Sequence, residues 1–392
     1  MPTLIDEIQR QEDRYQLPTY SKLPISIERG EGCYVYDQAG EKYLDLYGGH
    51  AVVSTGHCHP RVVEAIQRQA SDLIFYSNVS YNSTRSKAVA EIIKWAGEPY
   101  YQVFLANSGS EANENAIKLA RGSTGRREII SLCGSFHGRT YASLSATGIP
   151  EYLAYLNTPV PEHRILPAQQ VALAVSEKTA GVLVEPIQSM GGMREIQQQI
   201  LADIRRACDQ NGALLIFDEV QTGAGRTGRF LYSGLHGIYA DLVSLAKGIA
   251  SGFPVGALLI TQPIAATVKS GHLGTTFGGG PLACAALQAT LQVFAGEGLL
   301  CNAQSMGDYL RSRLEPLPFI SEILGRGLLV GLRFKDLPAR QVQQALFGRK
   351  ILTGTSMDPQ VLRLMPPLII SRKEIDDFLE ALQHASSHQA ER

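Results

Sequence analysis

Two charged groups stand where short apolar runs end. Asp218 and Glu219 follow Ala213-Leu-Leu-Ile-Phe217, and Lys247 follows Leu242-Val-Ser-Leu-Ala246. If both runs are strands of a parallel sheet, their carboxyl ends share one edge, where ligands bind, and an acid and a lysine are poised there for chemistry. Taken singly, Lys247 reads as a solvated lysine before a glycine turn. The segment Ala106-Asn-Ser-Gly-Ser-Glu-Ala-Asn-Glu-Asn-Ala-Ile-Lys-Leu-Ala120 sets a small-residue turn ahead of a helix with Ala112, Ala116, Ile117 and Ala120 on its apolar face. Ser108 and Glu111, three apart, form a capping-box signature, and a cap alone would account for them. The same start also suits a phosphate dianion, because Gly109 lets the backbone approach closely and the first helical N–H groups are free. Phe136, in Ser135-Phe-His-Gly-Arg-Thr140, adds an aromatic face. Lysine, acid, phosphate cradle and ring together describe a pyridoxal-phosphate site. Lysine forms the imine with the cofactor aldehyde and is then the amine nearest the carbon acid. A carboxylate on the pyridine nitrogen keeps the ring protonated and electron-withdrawing.

Two other motifs invite chemistry and fail on context. Gly223-Ala-Gly225-Arg-Thr-Gly228 matches a dinucleotide fingerprint after an apolar run. That fold needs a helix opening on the glycines and an acid closing the next strand, whereas Arg229-Phe-Leu-Tyr-Ser-Gly follows and Asp241 precedes a strand. No Gly-Lys-Ser/Thr phosphate loop occurs either. His57-Cys-His59-Pro60 places two histidines two apart without a partner cluster, and Pro60 suits the first turn of a helix, so a turn is expected and no metal. The six cysteines, Cys33, Cys58, Cys133, Cys208, Cys284 and Cys301, show neither metal nor redox spacing and read as reduced packing residues.

The elements that must position these groups are legible in the hydropathy. Runs of four to six apolar residues recur at Val103 to Ala106, Ile129 to Leu132, Gly181 to Val184, Ala213 to Phe217, Leu242 to Ala246 and Gly256 to Ile260. Without alternation they suit strands buried on both faces. Amphipathic stretches such as Glu111 to Ala120 and Gln198 to Asp209 separate several of them, and strand–helix alternation predicts a mostly parallel sheet covered by helices. That α/β layer is expected over residues 50–285. The flanks, 1–49 and 286–392, carry Tyr-rich strand signals and further strand–helix alternation, and are expected to join as one smaller α+β domain.

With 392 residues, the chain can close at least one large core. Its 36 Lys+Arg against 37 Asp+Glu leave a net charge of -1, which excludes the basic footprint of a nucleic-acid binder. The opening Met1-Pro-Thr-Leu-Ile-Asp-Glu-Ile-Gln-Arg lacks a signal-peptide core. Nor does any stretch approach the ~18 uninterrupted apolar residues of a membrane span. A soluble, cytoplasmic protein is expected, with no membrane contact.

At these residues the sequence resembles the class III, fold type I, pyridoxal-phosphate aminotransferases, from about Ile25 to Leu382. Six motifs carry the likeness in order: Asn107-Ser-Gly-Ser-Glu-Ala-Asn113, Ser135-Phe-His-Gly-Arg-Thr140, Val184-Glu-Pro-Ile-Gln188, Phe217-Asp-Glu-Val-Gln221 with Gly225-Arg-Thr-Gly228, Ala246-Lys-Gly248 and Thr275-Thr-Phe-Gly-Gly279. Within the class, Tyr43-Leu-Asp-Leu-Tyr-Gly-Gly-His-Ala51, Gly274-Thr-Thr-Phe-Gly278 and Val361-Leu-Arg-Leu-Met-Pro-Pro367 are most similar to the acetylornithine and succinylornithine branch. The resemblance implies Lys247 as the Schiff-base lysine, Asp218 on the pyridine nitrogen and Gln221 beside the ring hydroxyl. It sets Val220 and Phe136 on the two ring faces and gives the phosphate to Gly109 and Ser110. It further implies a homodimer in which Thr276 reaches the partner's phosphate, with Thr275 near substrate and Arg139 and Arg363 binding carboxylates. Ser110 stands where many relatives have threonine, Gly280 where asparagine is common, and Met190 where several have a glutamate that pairs with the arginine at the position of Arg363.

The resulting expectation is transfer of the terminal amine of N-acetylornithine or N-succinylornithine to 2-oxoglutarate, as in arginine biosynthesis. A 4-aminobutyrate, ω-amino acid or ornithine transaminase is the alternative within the class. An NAD-dependent oxidoreductase and a non-catalytic cofactor-binding protein are the alternatives outside it.

Overall fold

The computed structural model describes residues 4–387. Three short strands open the chain, β1 (Ile27–Glu31), β2 (Tyr34–Asp37) and β3 (Lys42–Asp45). Seven more follow: β4 (Tyr100–Ala106), β5 (Glu128–Leu132), β6 (His163–Leu166), β7 (Thr179–Val184), β8 (Leu214–Asp218), β9 (Leu242–Leu245) and β10 (Gly256–Thr261). These form one sheet in the order β4-β10-β9-β8-β7-β5-β6. Only β10 runs against its neighbours; β9, β8, β7, β5 and β6 pair in parallel. Every residue of β7, β8, β9 and β10 is buried, which is why these strands read as unbroken apolar runs rather than alternating ones.

The carboxyl-terminal segment supplies β11 (Ile320–Arg326), β12 (Leu329–Phe334), β13 (Ile351–Leu352), β14 (Gly354–Thr355) and β15 (Val361–Leu364). An antiparallel sheet runs β11-β12-β15-β14, while β13 leaves it to pair in parallel with β3. The two ends of the chain thus share a four-stranded sheet, β1-β2-β3-β13. Leu46 N–H also donates to the Leu352 carbonyl, and Met365 N–H to that of Leu46, at 2.9 and 2.7 Å.

Helix α1 (Gly109–Thr124) starts at Ser108, whose hydroxyl accepts the Glu111 N–H at 3.1 Å. The capping box closes one residue early: the Glu111 carboxylate accepts the Asn107 N–H at 3.0 Å and its amide at 2.9 Å. Helix α2 (Pro281–Gly296) is buried along most of its length. No single described helix is long and apolar enough to cross a membrane; a bent pair, α2 with Leu299–Leu314, meets the length and composition requirement only jointly.

The glycine run at 223–228 forms a tight turn with left-handed backbone at Ala224, Gly225 and Gly228, and no helix opens on it. The dinucleotide reading therefore lacks its structural context. Pro60 does open a helix, Pro60–Asp72, and His57 and His59 face Asp45 and Glu297 instead of each other, at 2.8 and 3.0 Å. Among the described residues no group of His, Cys, Asp or Glu could hold a metal ion.

Close approach of β10 to the start of α1 is set by Gly256. A Cβ there would fall 2.2 Å from the Ser108 carbonyl oxygen and 3.0 Å from its nitrogen, both backbone atoms that cannot rotate away. Gly256→Ala is expected to push the turn before α1 outward and cost about 1–3 kcal/mol in urea unfolding; an unchanged midpoint would show that this approach is not a constraint.

Candidate active site

Parallel strands deliver their carboxyl ends to one edge, and each brings one group. After β4 come Asn107, Ser108 and Gly109; after β5, Phe136 and His137; after β7, Glu185; at the end of β8, Asp218; after β9, Lys247. These side chains line a cavity of about 430 Å³, joined by Ser110, Arg139, Val220 and Gln221. Most residues singled out from sequence meet there. Three do not line it. Thr275 sits at its edge, its hydroxyl 3.3 Å from the Asn107 amide. Thr276 is exposed. Arg363 is 2% exposed and buried to one side.

Asp218 is the most constrained group. Its Oδ2 accepts a hydrogen bond from the Asn113 amide at 2.7 Å and lies 2.8 Å from His137 Nδ1, and its Oδ1 accepts the Val220 N–H at 3.1 Å. The same Asn113 amide donates to the His137 carbonyl at 2.7 Å, tying both partners into one frame. Neither Asn113 nor His137 had been given a role from sequence. The signal was present, since both lie inside the quoted motifs on α1 and after β5, but only the fold shows that the two motifs face one carboxylate. Glu219 points the opposite way, accepting the Tyr232 and Ser233 N–H groups at 2.5 and 3.3 Å. Burial pushes it up to about 7. Of the acid pair only Asp218 therefore faces the cavity.

Glu185 is a second acid missed by sequence reasoning. It is 4% exposed and accepts the Phe136 and Ser189 N–H groups at 3.1 and 3.3 Å. Burial, and then the charge of Asp218, push its carboxyl well above the usual range. Burial acts oppositely on Lys247, pulling its amine down, while Asp218 and Glu185 hold it up and Arg363 lowers it further. The lysine stands in left-handed backbone, φ 47°, a conformation that costs a non-glycine residue free energy and persists only where its surroundings impose it.

The cavity offers a fitting test for a flat, phosphorylated ring. A Cβ on Gly109 would fall 2.7 Å from Val220 Cγ2, so only glycine lets the start of α1 lie this close to the end of β8. Gln221 Oε1 is buried without a hydrogen-bond partner, and so are Asn113 Oδ1 and His137 Nε2. An orphan acceptor beside a cradle of free N–H groups suits a ligand bearing both a hydroxyl and an anion. The Ser110 hydroxyl is already engaged with Thr140 and Ser143, each at 2.7 Å. Arg139 packs its guanidinium over Tyr152, 3.8 Å from the ring centre, and Tyr152 meets Phe136 edge-on at 5.3 Å.

Arg363 donates through Nε to the Thr355 carbonyl at 2.6 Å and through Nη1 to the Ser189 hydroxyl at 3.1 Å. It makes no salt bridge with a described residue. Met190 follows Ser189, and its carbonyl accepts the Met357 N–H at 2.9 Å.

The family model described as aminotransferase class-III matches residues 15–386. The acetylornithine aminotransferase of Methanopyrus kandleri is 40% identical over 377 residues, covering 95% of this chain and 97% of that one. The acetylornithine aminotransferase of Methanothermobacter thermautotrophicus is 39% identical over 390 residues, covering 97% and 99%. Among solved structures, the ornithine aminotransferase of Toxoplasma gondii ME49 superposes with a TM-score of 0.92 at 29% identity over 100% of this chain and 97% of that one.

The charge balance of the cavity has a measurable consequence. Asp218 holds the Lys247 amine up, so Asp218→Asn is expected to lower it further and enlarge its free-base fraction at pH 7, where a full unit would be about tenfold. Acylation of Lys247 by a neutral anhydride in ligand-free protein, followed by mass spectrometry, should quicken at least about threefold. Slower labelling would contradict the assigned charge balance.

Proposed function

The chain belongs to the class-III aminotransferases, and from that premise we propose that it moves the terminal amine of N-acetylornithine or N-succinylornithine to 2-oxoglutarate, forming the acylated glutamate semialdehyde and glutamate. The observation that carries this reading is the meeting of Lys247 with Asp218, the latter held by Asn113 and His137, in one buried cavity. Pyridoxal phosphate fits the cavity, and when bound it supplies an aldehyde that exchanges amino groups and a cationic ring that draws electrons from a breaking C–H bond. Gly109 and Ser110 would hold its phosphate, Val220 and Phe136 its faces, Gln221 its hydroxyl and Asp218 its ring nitrogen.

The protein's own groups divide the labour. Asp218 would hold a proton on the ring nitrogen, and the Asn113 amide and Val220 N–H, with His137 beside them, fix its carboxylate for that role. Lys247 Nζ would take the proton from the amine-bearing carbon of the substrate and deliver it to a different carbon, and a lowered pKa leaves more of it as free base near neutrality. Arg139, spread over Tyr152, and Arg363, a fork with unused N–H groups, bind the substrates' carboxylates. Met190 supports an acylated donor. An α-amide nitrogen cannot enter the exchange, so the acyl group itself ensures that the terminal amine reacts even though Arg363 has no carboxylate partner among the described residues to neutralise it.

The proposal includes a cytoplasmic homodimer. Exposed Ile74, Phe75, Tyr76 and Phe277, with Phe75 and Phe277 rings 5.3 Å apart, lie beside exposed Thr276, which supports a partner covering that face. It also takes residues 50–285 as the cofactor-binding domain and 1–49 with 286–392 as the smaller one.

Lys247→Ala is expected to abolish turnover while some cofactor still binds through its phosphate, as read by absorbance; near-normal transamination would remove Lys247 from its role. For the substrate, kcat/KM measured with N-acetylornithine, N-succinylornithine, ornithine and 4-aminobutyrate against 2-oxoglutarate should favour an acylornithine over ornithine by at least about tenfold, ~1.4 kcal/mol. Met190→Glu should improve ornithine more than the acylated donors. Equal use of ornithine and acylornithine by the parent protein would defeat the substrate assignment.

A further inference from the structure

The edge of the seven-stranded sheet opposite Lys247 carries a cavity of its own. Strand β4 begins there at Tyr100, β10 ends there at Thr261, and Asp241 stands just before β9. Pairing of β10 with β4 runs one for one from Gly256 and Ala106 to Ile260 and Gln102, then jumps to Thr261 and Tyr100, which leaves Tyr101 as an extra residue. Such a bulge bends its strand and breaks the ladder. Beside it lies a space of about 550 Å³ whose wall includes Glu98, Tyr100, Tyr101, Tyr239, Asp241 and Gln262.

The wall is one-sided in charge. It holds two carboxylates and three tyrosines, and no lysine, arginine or histidine. Asp241 is already committed, since its Oδ2 accepts the Leu215 N–H at 2.8 Å and pairs with Arg205, which is not part of the wall, at 2.8 Å. Glu98 is exposed and forms no ion pair among the described residues. Tyr100 is 5% exposed, and its hydroxyl is buried without a hydrogen-bond partner among the described residues. Burial, and then the charge of Glu219, push that phenol well above its ordinary range, so it stays a neutral hydroxyl able to donate and to accept. Tyr101 and Tyr239, 57% and 42% exposed, add aromatic surface to the same wall.

A buried polar atom without a partner in the chain calls for one from outside it. An anion would meet two acids and no cation here. A hard metal ion needs several oxygen ligands, and among the described residues no group of His, Cys, Asp or Glu could hold one. An organic cation meets what the wall offers: a free carboxylate, aromatic surface that attracts positive charge, and a hydroxyl lone pair. We propose that this cavity is a second ligand site, taking a small organic cation with a guanidinium or alkylammonium head beside Glu98 and the three tyrosines. The site lies on the far edge of the sheet from Asp218 and Lys247, so its occupant takes no part in the exchange of amino groups.

The test is calorimetric titration of the holoenzyme with butylguanidinium and with choline, neither of which carries an amine to exchange, and with butylurea, the neutral counterpart of the first. At least one cation should bind one to one with a Kd of about a millimolar or tighter, and butylurea should not. Glu98→Gln, which removes the charge, and Tyr100→Phe, which removes only the hydroxyl, should each weaken binding about threefold. Transamination by Glu98→Gln should match the parent, because the residue lies outside the reacting cavity. Binding of butylguanidinium alone would assign the site to N–H donors, and binding of choline alone to the aromatic surface. No saturable binding of either cation by the parent, equal binding of butylurea, or unchanged affinity in both variants would overturn the site.

Discussion

Two carboxylates and one amine, Asp218, Glu185 and Lys247, share one cavity, and burial there opposes the charged forms of Glu185 and Lys247. Taking charge out of water is expensive, and what offsets it here is shared: Asp218 and Glu185 support the ammonium form of Lys247, and Lys247 supports Glu185 in return. Three contacts, from Asn113, His137 and Val220, hold the Asp218 carboxylate in place, whereas Glu185, with two backbone donors and Asp218 nearby, is pushed up. Such a set is responsive rather than inert, since changing the charge on any member retunes the others. A site meant to hold a proton on one atom and move it at another needs that property.

The cluster exists because strands of one sheet end together. Asn107, Phe136, Glu185, Asp218 and Lys247 come from five stretches of sequence, and strands that share one direction, β4 through the reversed β10 and the others by parallel pairing, lay their carboxyl ends on one edge. Closeness then depends on missing side chains. Gly256 admits the backbone at Ser108, and Gly109 admits Val220, so that the start of α1 meets the end of β8 without a gap. Asn113, one turn further along α1, thereby reaches Asp218.

The other side of the site is assembled by the carboxyl-terminal sheet, and buried arginines bind it in place. Arg226, held in the tight turn after β8 and pulled down to about 9 by burial, donates to the carbonyls of Pro366 and Leu328. Pro366 follows β15, which carries Arg363. The turn that matches a dinucleotide glycine motif is thus a splice between the end of β8 and the carboxyl-terminal sheet. Its glycines are there for packing: a Cβ on Gly225 would strike Leu300, and one on Gly228 would strike Gln304.

Sequence alone determined the strands, because runs buried on both faces must be apolar throughout, and it determined the start of α1, because a cap needs a hydroxyl three residues ahead of its donor. It also identified Lys247 and Asp218, since charged residues at the ends of such runs have only the sheet edge to occupy. What it could not determine were contacts between segments far apart in the chain. His137 and Asn113 lie 24 residues apart yet hold one carboxylate. Glu185 becomes a perturbed acid only by being buried beside Asp218. Glu219 and Asp218 differ only in which side of the strand end they face, a matter of register. The resemblance marks Arg363 as a carboxylate binder, yet only the fold shows it buried and within 6.0 Å of the Tyr47 ring, which lies against Gly354 on the neighbouring strand. Local pattern is written by periodicity and caps, but burial and charge coupling depend on what the rest of the chain brings near, and only the tertiary structure decides that.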